Sequence, residues 1–363
     1  HQKATFCKGS EYFNNADYAQ AICLFQKSLD HPLDQVLSLQ TQFWLSESLS
    51  ALQQYEKAIT VYQSLLDSLP PTDALHPQVV YGLGYAYFNS AHYTQALPQF
   101  LQYIRHQPDL MPALWRQDAL VRLADCYYAT KQYQQALQSY EQVLSYQPAY
   151  VHYQKGMIYG ILNDMLAAQA SFQAIFKNYV HTIFYEKALF EIANMDFVHN
   201  NYPQAIERFT EFIQKKPQSP LLPDALLKRA VSHVNLGKYS QATQDYGRLL
   251  TEHSKHPNAR SALLELPKFR IYEGNAEQID QYLAHYESAH PDSDTLEKVT
   301  FDTAKALFYD QRYTDAVEQL QAFLTRYPTS VLLPEASFLI AEAYYRKNDV
   351  LNALNQYKIA LKG

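Results

Sequence analysis

Glycine occurs only nine times in 363 residues, and cysteine only three times. So little glycine, with no alternating valine-, isoleucine- and threonine-rich runs, excludes an architecture of strands and tight β-turns. Cys7, Cys23 and Cys126 have neither metal-ligand spacing nor an evident pairing, and read as buried thiols. No apolar stretch reaches the roughly 18 residues of a membrane span, and no signal peptide precedes the first repeat. Because the sequence opens at His1 without an initiator methionine, that lack says nothing about location. Basic runs are missing as well. The formal net charge is −6 and the pI about 6.1, which gives no general attraction to nucleic acid or anionic lipid. Disorder is excluded by the 47% of hydrophobic residues against 18% charged.

What the chain does have is a phrase said many times, and 31 tyrosines. "LGYAYFNSAHYTQAL" at 83–97 returns at 123–137 as "LADCYYATKQYQQAL". With the tyrosine of "YTQAL" as the anchor, ten positions come into register. They are Tyr18, Tyr55, Tyr93, Tyr133, Met165, Tyr202, Tyr239, Asn275, Tyr313 and Val350. A period of about 37 residues is the mark of a solenoid, in which no unit can bury its apolar face alone and neighbours share a core.

Three residues after the anchor stand Ala21, Ala58, Ala96, Ala136, Ala168, Ala205, Ala242, Ala316 and Ala353. Seven after it come Phe25, Tyr62, Phe100, Tyr140, Phe172, Phe209, Tyr246, Tyr282, Leu320 and Tyr357. A small and a large residue four apart share one helix face, so the alanine admits a close neighbour and the ring fills the gap beside it. Nine before the anchor is another small residue, as at Gly9, Gly84, Ala124, Gly156, Ala193, Ala230, Ala304 and Ala341. Proline at Pro70, Pro108, Pro148, Pro217 and Pro328, fifteen after the anchor, is expected to end the second helix. Each unit therefore reads as a helix, a short turn and a second antiparallel helix.

This pattern resembles the tetratricopeptide repeat (TPR) over essentially the whole chain. The resemblance implies an all-α fold: a right-handed TPR superhelix, or α-solenoid, of about ten helix-turn-helix repeats. Residues 1–257 read as about seven repeats, 258–280 as a degenerate copy, and 281–363 as the C-terminal repeats. The degenerate copy has Pro267 in its first helix and Gly274 in its turn, which predicts a bend and the weakest joint of the array. The interval from Tyr133 to Met165 is short and predicts a minimal hairpin there. Both ends coincide with repeat boundaries, as in a piece cut from a longer array.

Two joints share a longer phrase, "PQSPLLPDA" from Pro217 and "PTSVLLPEA" from Pro328. The second proline and the acid suit a first helical turn. The phrase is similar to TPR proteins of the Gram-negative cell envelope, among them the outer-membrane β-barrel-assembly lipoprotein and the periplasmic Tol–Pal coordinator. It implies a periplasmic or outer-membrane-associated adaptor. The alternatives are a cytoplasmic TPR adaptor, or the recruiting segment of a larger enzyme whose catalytic domain lies elsewhere.

No H-E-x-x-H, G-x-S-x-G, Walker or G-x-G-x-x-G motif is present, so neither catalysis, nor a cofactor, nor a metal site is read here. His253 and His256 lack a third ligand beside them. The TPR resemblance points instead to a concave groove lined by the first helices, at positions twelve, eight, five and four before the anchor. These are Phe43; Tyr81, Tyr85, Phe88 and Asn89; Asp125 and Tyr128; Tyr153; Phe190, Asn194 and Phe197; Asn235; Phe301, Lys305 and Phe308; and Phe338, Glu342 and Tyr345. So aromatic a wall suits a protein or peptide partner, held by stacking and apolar burial. Phe43, Glu47, Tyr81, Tyr85 and Asp125 stand where a carboxylate clamp would need lysine, arginine and asparagine, which argues against one. Lys305 and Arg346 are too few for nucleic acid.

Overall fold

The computed structural model describes residues 1–30, 32–105, 113–269, 276–290 and 295–361. Among them it holds twenty α-helices, one 3-10 helix and no strand. Contacts divide the chain into two compact units, His1–Phe184 and Tyr185–Gly363. In the first, α1 (Gln2–Asn14) pairs with α2 (Tyr18–Leu29), α3 (Gln35–Ala51) with α4 (Tyr55–Ser68), and α5 (His76–Asn89) with α6 (Tyr93–Arg105). Then α7 (Ala113–Ala129) pairs with α8 (Tyr133–Glu141), and α9 (Pro148–Ile161) with α10 (Met165–Asn178). Helix α11 (Ile183–Val198) begins at the division and packs on α12 (Tyr202–Lys215) through Phe190, which meets Phe209 and Phe212. In the second unit α13 (Leu222–Asn235) pairs with α14 (Tyr239–Glu252). Next come α15 (Pro257–Glu265), the 3-10 helix Leu266–Phe269 and α16 (Ala276–Ala289). The pairs α17 (Thr295–Tyr309) with α18 (Tyr313–Arg326), and α19 (Leu333–Arg346) with α20 (Val350–Ala360), follow.

Nine of the ten sequence anchors are the first residue of a second helix. The tenth, Asn275, lies outside the described residues, as do Gly274 and Pro108. Each of these nine helices is reached through a three-residue turn whose middle residue has φ between 58° and 68°. Those residues are Ala16, Gln53, Ala91, Lys131, Asn163, Asn200, Gly237, Gln311 and Asn348. In each turn the next N–H returns to the carbonyl five residues earlier, as His92 to Tyr87 at 2.8 Å and Lys238 to His233 at 2.9 Å. This left-handed cap satisfies the orphan carbonyls of the first helix and reverses the chain.

The alanines after the anchor are all buried, and so are the rings four residues further on from Phe25 through Tyr246. Ring and small residue meet across the hairpin. A Cβ on Gly9 would lie 2.8 Å from the Phe25 ring, and one on Gly156 2.5 Å from Phe172. Glycine is needed here for close approach, not for backbone freedom. Burying these rings removes some of the largest side chains from water, the dominant favourable contribution to each joint.

Prolines 70, 217 and 328 follow the ends of α4, α12 and α18 as expected, but Pro148 starts α9 instead. The short Tyr133–Met165 interval is taken up by α8, only nine residues long, whereas α9 and α10 have fourteen each. The minimal hairpin expected there is therefore corrected to a shortened second helix in the copy before it. Pro267 falls in the 3-10 helix after α15 ends at Glu265. That turn buries Phe269 against Tyr239 and Tyr246, at ring-centroid distances of 5.5 and 5.8 Å. The heart of the expected bend, residues 270–275, lies outside the described residues. Cys126 is buried, and burial pushes its thiol up to about 12, but Cys7 and Cys23 are exposed on α1 and α2. That corrects the reading of all three as core.

Candidate partner-binding face

In the first unit the first helices α5, α7 and α9 carry a network of tyrosines and carboxylates. Tyr81 donates to Asp118 Oδ2 at 2.7 Å, and Tyr85 donates to the same oxygen. Arg122, one helical turn on, bonds Asp125 Oδ2 at 2.6 Å, with its Nε 3.9 Å from Asp118 Oδ1. Asp125 Oδ1 accepts from Tyr140 at 2.5 Å and from Tyr150 at 2.6 Å. Burial raises the Asp125 carboxyl pKa, and Arg122 with the two phenols pulls it back down. The Arg122 guanidinium also lies 5.4 Å from the Phe88 ring centre. Trp115, partly exposed, stacks on Tyr81 at 5.5 Å.

The structure sorts the expected groove residues into two classes. Phe43, Phe190 and Phe301, each twelve before its anchor, are buried. Phe43 meets Trp44 at 5.2 Å, and Phe301 meets Phe323 at 5.4 Å. Asp125 is buried too, under the phenols just described. These four are corrected from open wall to core, because neighbouring side chains cover them. Tyr81, Tyr85, Phe88, Tyr128 and Tyr153 are half-buried, and Asn89 is exposed. Tyr153 lies between Phe172 and Phe184, at 6.3 and 5.7 Å.

In the second unit Phe197 is half-buried under the Lys228 ammonium, 4.8 Å from its ring centre. Asn194 is half-buried and donates to Glu191 at 3.2 Å, while exposed Asn235 bonds the Val231 carbonyl at 2.9 Å. Lys305 pairs with Glu335 at 2.6 Å, and half-buried Phe308 meets Tyr313 at 5.6 Å. Glu342 accepts from Tyr357. Phe338 and Tyr345 are exposed. A cleft of about 640 Å³ lies between α17 and the segment leading into α19, floored by Phe301 and rimmed by Glu297, Lys305, Val331 and Glu335. In the first unit a smaller cleft of about 420 Å³ is lined by Val36, Leu39, Phe43, Trp44, Leu69 and Leu75.

Asp118, Arg122, Trp115 and Tyr150 had not been picked out from the sequence. The signal was there: Asp118, Arg122 and Asp125 stand at i, i+4 and i+7 of one helix, a single face. The shared joint phrase also has a structural role. Ser219 donates to Glu186 and Ser330 to Glu297, both at 2.5 Å and both 33 residues apart. Each serine Oγ also accepts the N–H two residues on, at 3.0 Å. The phrase thus ties one hairpin to the first turn of the hairpin before it.

Models of the tetratricopeptide repeat match residues 40–72, 117–150 and 224–256. The chain carries tetratricopeptide repeats. Residues 259–358 match the YfiO family, described as an outer membrane lipoprotein. No curated protein matches the sequence significantly. Similar solved structures include a tetratricopeptide repeat protein of Parabacteroides merdae, 17% identical with TM-score 0.49, covering 72% of this chain and 97% of its own. Another is the C-terminal part of a TPR protein of Cytophaga hutchinsonii, at 14% identity and TM-score 0.47, covering 81% and 98%. Pseudomonas aeruginosa pilF is 15% identical with TM-score 0.42, covering 61% and 95%. A tetratricopeptide array is a scaffold for protein–protein interaction, and among the described residues no helix is long and apolar enough to cross a membrane.

Proposed function

We propose that the protein is an adaptor of a bacterial cell-envelope machine, periplasmic or outer-membrane-associated, holding a partner protein against the first-helix faces of its repeats. The observation that carries this reading is the match of residues 259–358 to the outer membrane lipoprotein family. The surface itself supports it. In the first unit Tyr128 is half-buried and Asn89 exposed, and in the second Phe197 and Phe308 are half-buried and Asn235 and Tyr345 exposed, so the first helices of each unit offer aromatic area for stacking on a peptide and amides for bonding its backbone.

The test is an affinity pulldown with the intact chain as bait, from an envelope fraction and a cytosolic fraction run in parallel. A Tyr128→Ala/Phe197→Ala/Tyr345→Ala variant, checked for native helicity, serves as control. The expected result is an envelope protein retained by the native chain and lost from the variant. Specific capture from the cytosolic fraction alone would overturn the envelope assignment, and equal retention by both baits would overturn the choice of face.

A further inference from the structure

We infer that Trp115 and Asp118 of α7 form a seat for one arginine side chain of the protein held on the first-helix face, its guanidinium lying over the open side of the indole and bonding the carboxylate. This rests on that face being the partner's, and adds which residue of the partner it reads. Charge is the starting point. Arg122 bonds Asp125 at 2.6 Å and serves as its counter-ion. Asp118 has none of its own. Its Oδ2 accepts from Tyr81 and Tyr85, two neutral phenols, whereas its Oδ1 accepts from no described residue. The Arg122 Nε stands 3.9 Å from that oxygen, beyond a hydrogen bond. Arg116, two residues before Asp118, lies on another side of the helix. Two carboxylates against one guanidinium leave this corner of the first unit short of a cation.

A second observation is independent of charge. Tyr103 of α6 is fully buried, with its ring 4.7 Å from that of Tyr81, and its hydroxyl has no hydrogen-bond partner among the described residues. Burial, and after it the Asp118 carboxylate, push this phenol up to about 12, so the idle hydroxyl faces Asp118. A buried hydroxyl left unpaired is unfavourable. Beside it lies an idle carboxylate oxygen, and a cation with several N–H donors satisfies both. Trp115 supplies a flat wall. One side of its indole stacks on Tyr81, with the planes 15° apart, and the residue is 44% exposed with no other ring contact among the described residues. Three residues separate Trp115 from Asp118, so the two stand side by side on α7. A π surface next to a carboxylate favours guanidinium over ammonium. The planar ion stacks, donates along its edge and is less strongly hydrated. Like charge on nearby Arg122 keeps the affinity for an isolated arginine modest.

Trp44 and Trp115 are the two tryptophans of the chain, so in an intact Trp44→Phe chain the emission reports Trp115 alone. The test titrates that chain, at constant ionic strength, with acetyl-Gly-Arg-Gly-amide and with its lysine and citrulline counterparts, citrulline having the shape of arginine without the charge. A saturable change is expected with the arginine peptide, at least about threefold weaker with lysine and about tenfold weaker with citrulline. Asp118→Asn still accepts from Tyr81 and Tyr85, and should weaken the arginine peptide about five- to tenfold. Tyr103→Phe should weaken it about twofold without lowering Tm, since an idle hydroxyl contributes nothing to the fold. No saturable change, equal affinity for arginine and citrulline, or indifference to Asp118→Asn would overturn the seat. Equal affinity for arginine and lysine would overturn the choice of a guanidinium. No envelope protein takes part in the titration, so it can fail while the pulldown succeeds, and succeed while the pulldown fails.

Discussion

Tyr140 donates its hydroxyl to Asp125 at 2.5 Å across the α7–α8 hairpin, and the same two positions, fifteen residues apart, hold Tyr62 on Glu47 and Tyr357 on Glu342. Where the ring is Phe25, Phe100, Phe172 or Phe209, the residue fifteen before it is Ser10, Tyr85, Met157 or Asn194, never an acid. The phenol is thus used in these three hairpins to satisfy a carboxylate that the fold carries inward. Replacing Tyr140 by phenylalanine leaves Asp125 with Tyr150 and Arg122 and should cost about 1 kcal/mol, read from urea unfolding. Asp125→Ala should cost about 2–3 kcal/mol, because buried Tyr140 loses its acceptor and half-buried Arg122 and Tyr150 each lose a partner with it.

Glu47 gives the pH counterpart. Burial raises its pKa in the folded chain, and the Tyr62 hydroxyl only partly offsets this. A raised folded pKa means that the group's contribution is fully present below the unfolded carboxylate range and is lost as pH rises through the folded value. Glu47→Gln, which stays neutral and still accepts from Tyr62, should therefore raise Tm at pH 8. The difference from the native chain should close toward pH 4. An equal shift at both pH values would show that ionisation of Glu47 is not what opposes the fold.

The turns allow a test of backbone strain. Ala91 sits at φ 61° and Gln53 at φ 58°, where a Cβ is unfavourable by about 1–2 kcal/mol. Glycine at either site should stabilise the chain by roughly 0.5–1 kcal/mol after its greater unfolded-state entropy is taken off. Gly237→Ala should do the reverse, with open space around it and only the φ of 68° to oppose the methyl. Thermal unfolding of the three variants checks the signs.

Gly156→Ala tests close approach. Its new methyl would lie 2.5 Å from the Phe172 ring, so a loss of about 1–3 kcal/mol is expected. Phe172→Leu in the same chain should return part of it, because the smaller side chain makes room. Additive losses in the double variant would show that the methyl meets something else.

At the joints, Ser219→Ala and Ser330→Ala each remove a donor to a glutamate and an acceptor for a backbone N–H. A cost of about 1–2 kcal/mol per site is expected. Solenoid energetics are nearest-neighbour, so faster amide exchange should be confined to the helices on either side, α11 to α13 for Ser219 and α17 to α19 for Ser330.

Most of the fold was legible because its signals are repeated. An alanine three after the anchor and a ring seven after it survive nearly every copy, and averaging over ten copies suppresses local noise. The left-handed turn residue was not legible. Eight of the nine described turns place alanine, glutamine, lysine or asparagine there and only one has glycine, so composition did not mark it. The candidate face was legible by position but not by depth. Phe43 and Phe338 occupy the same register, and one is core while the other is surface, because burial there depends on what packs alongside. Asp125 stands at a register the repeat marks, eight before the anchor, but Asp118 and Arg122 fall on positions where no residue type recurs, so the face they complete was not legible.

The regular turn and the variable joint have a practical consequence. The turn is three residues long in the nine described hairpins with a second-helix anchor, whereas the joints run from four residues between α10 and α11 to seven between α4 and α5. One extra residue in a turn would swing the second helix by about 100° and carry its alanine away from the neighbour it is meant to touch. Crossover points for grafting hairpins between related arrays, and insertion points for tags or reporters, therefore belong at the joints.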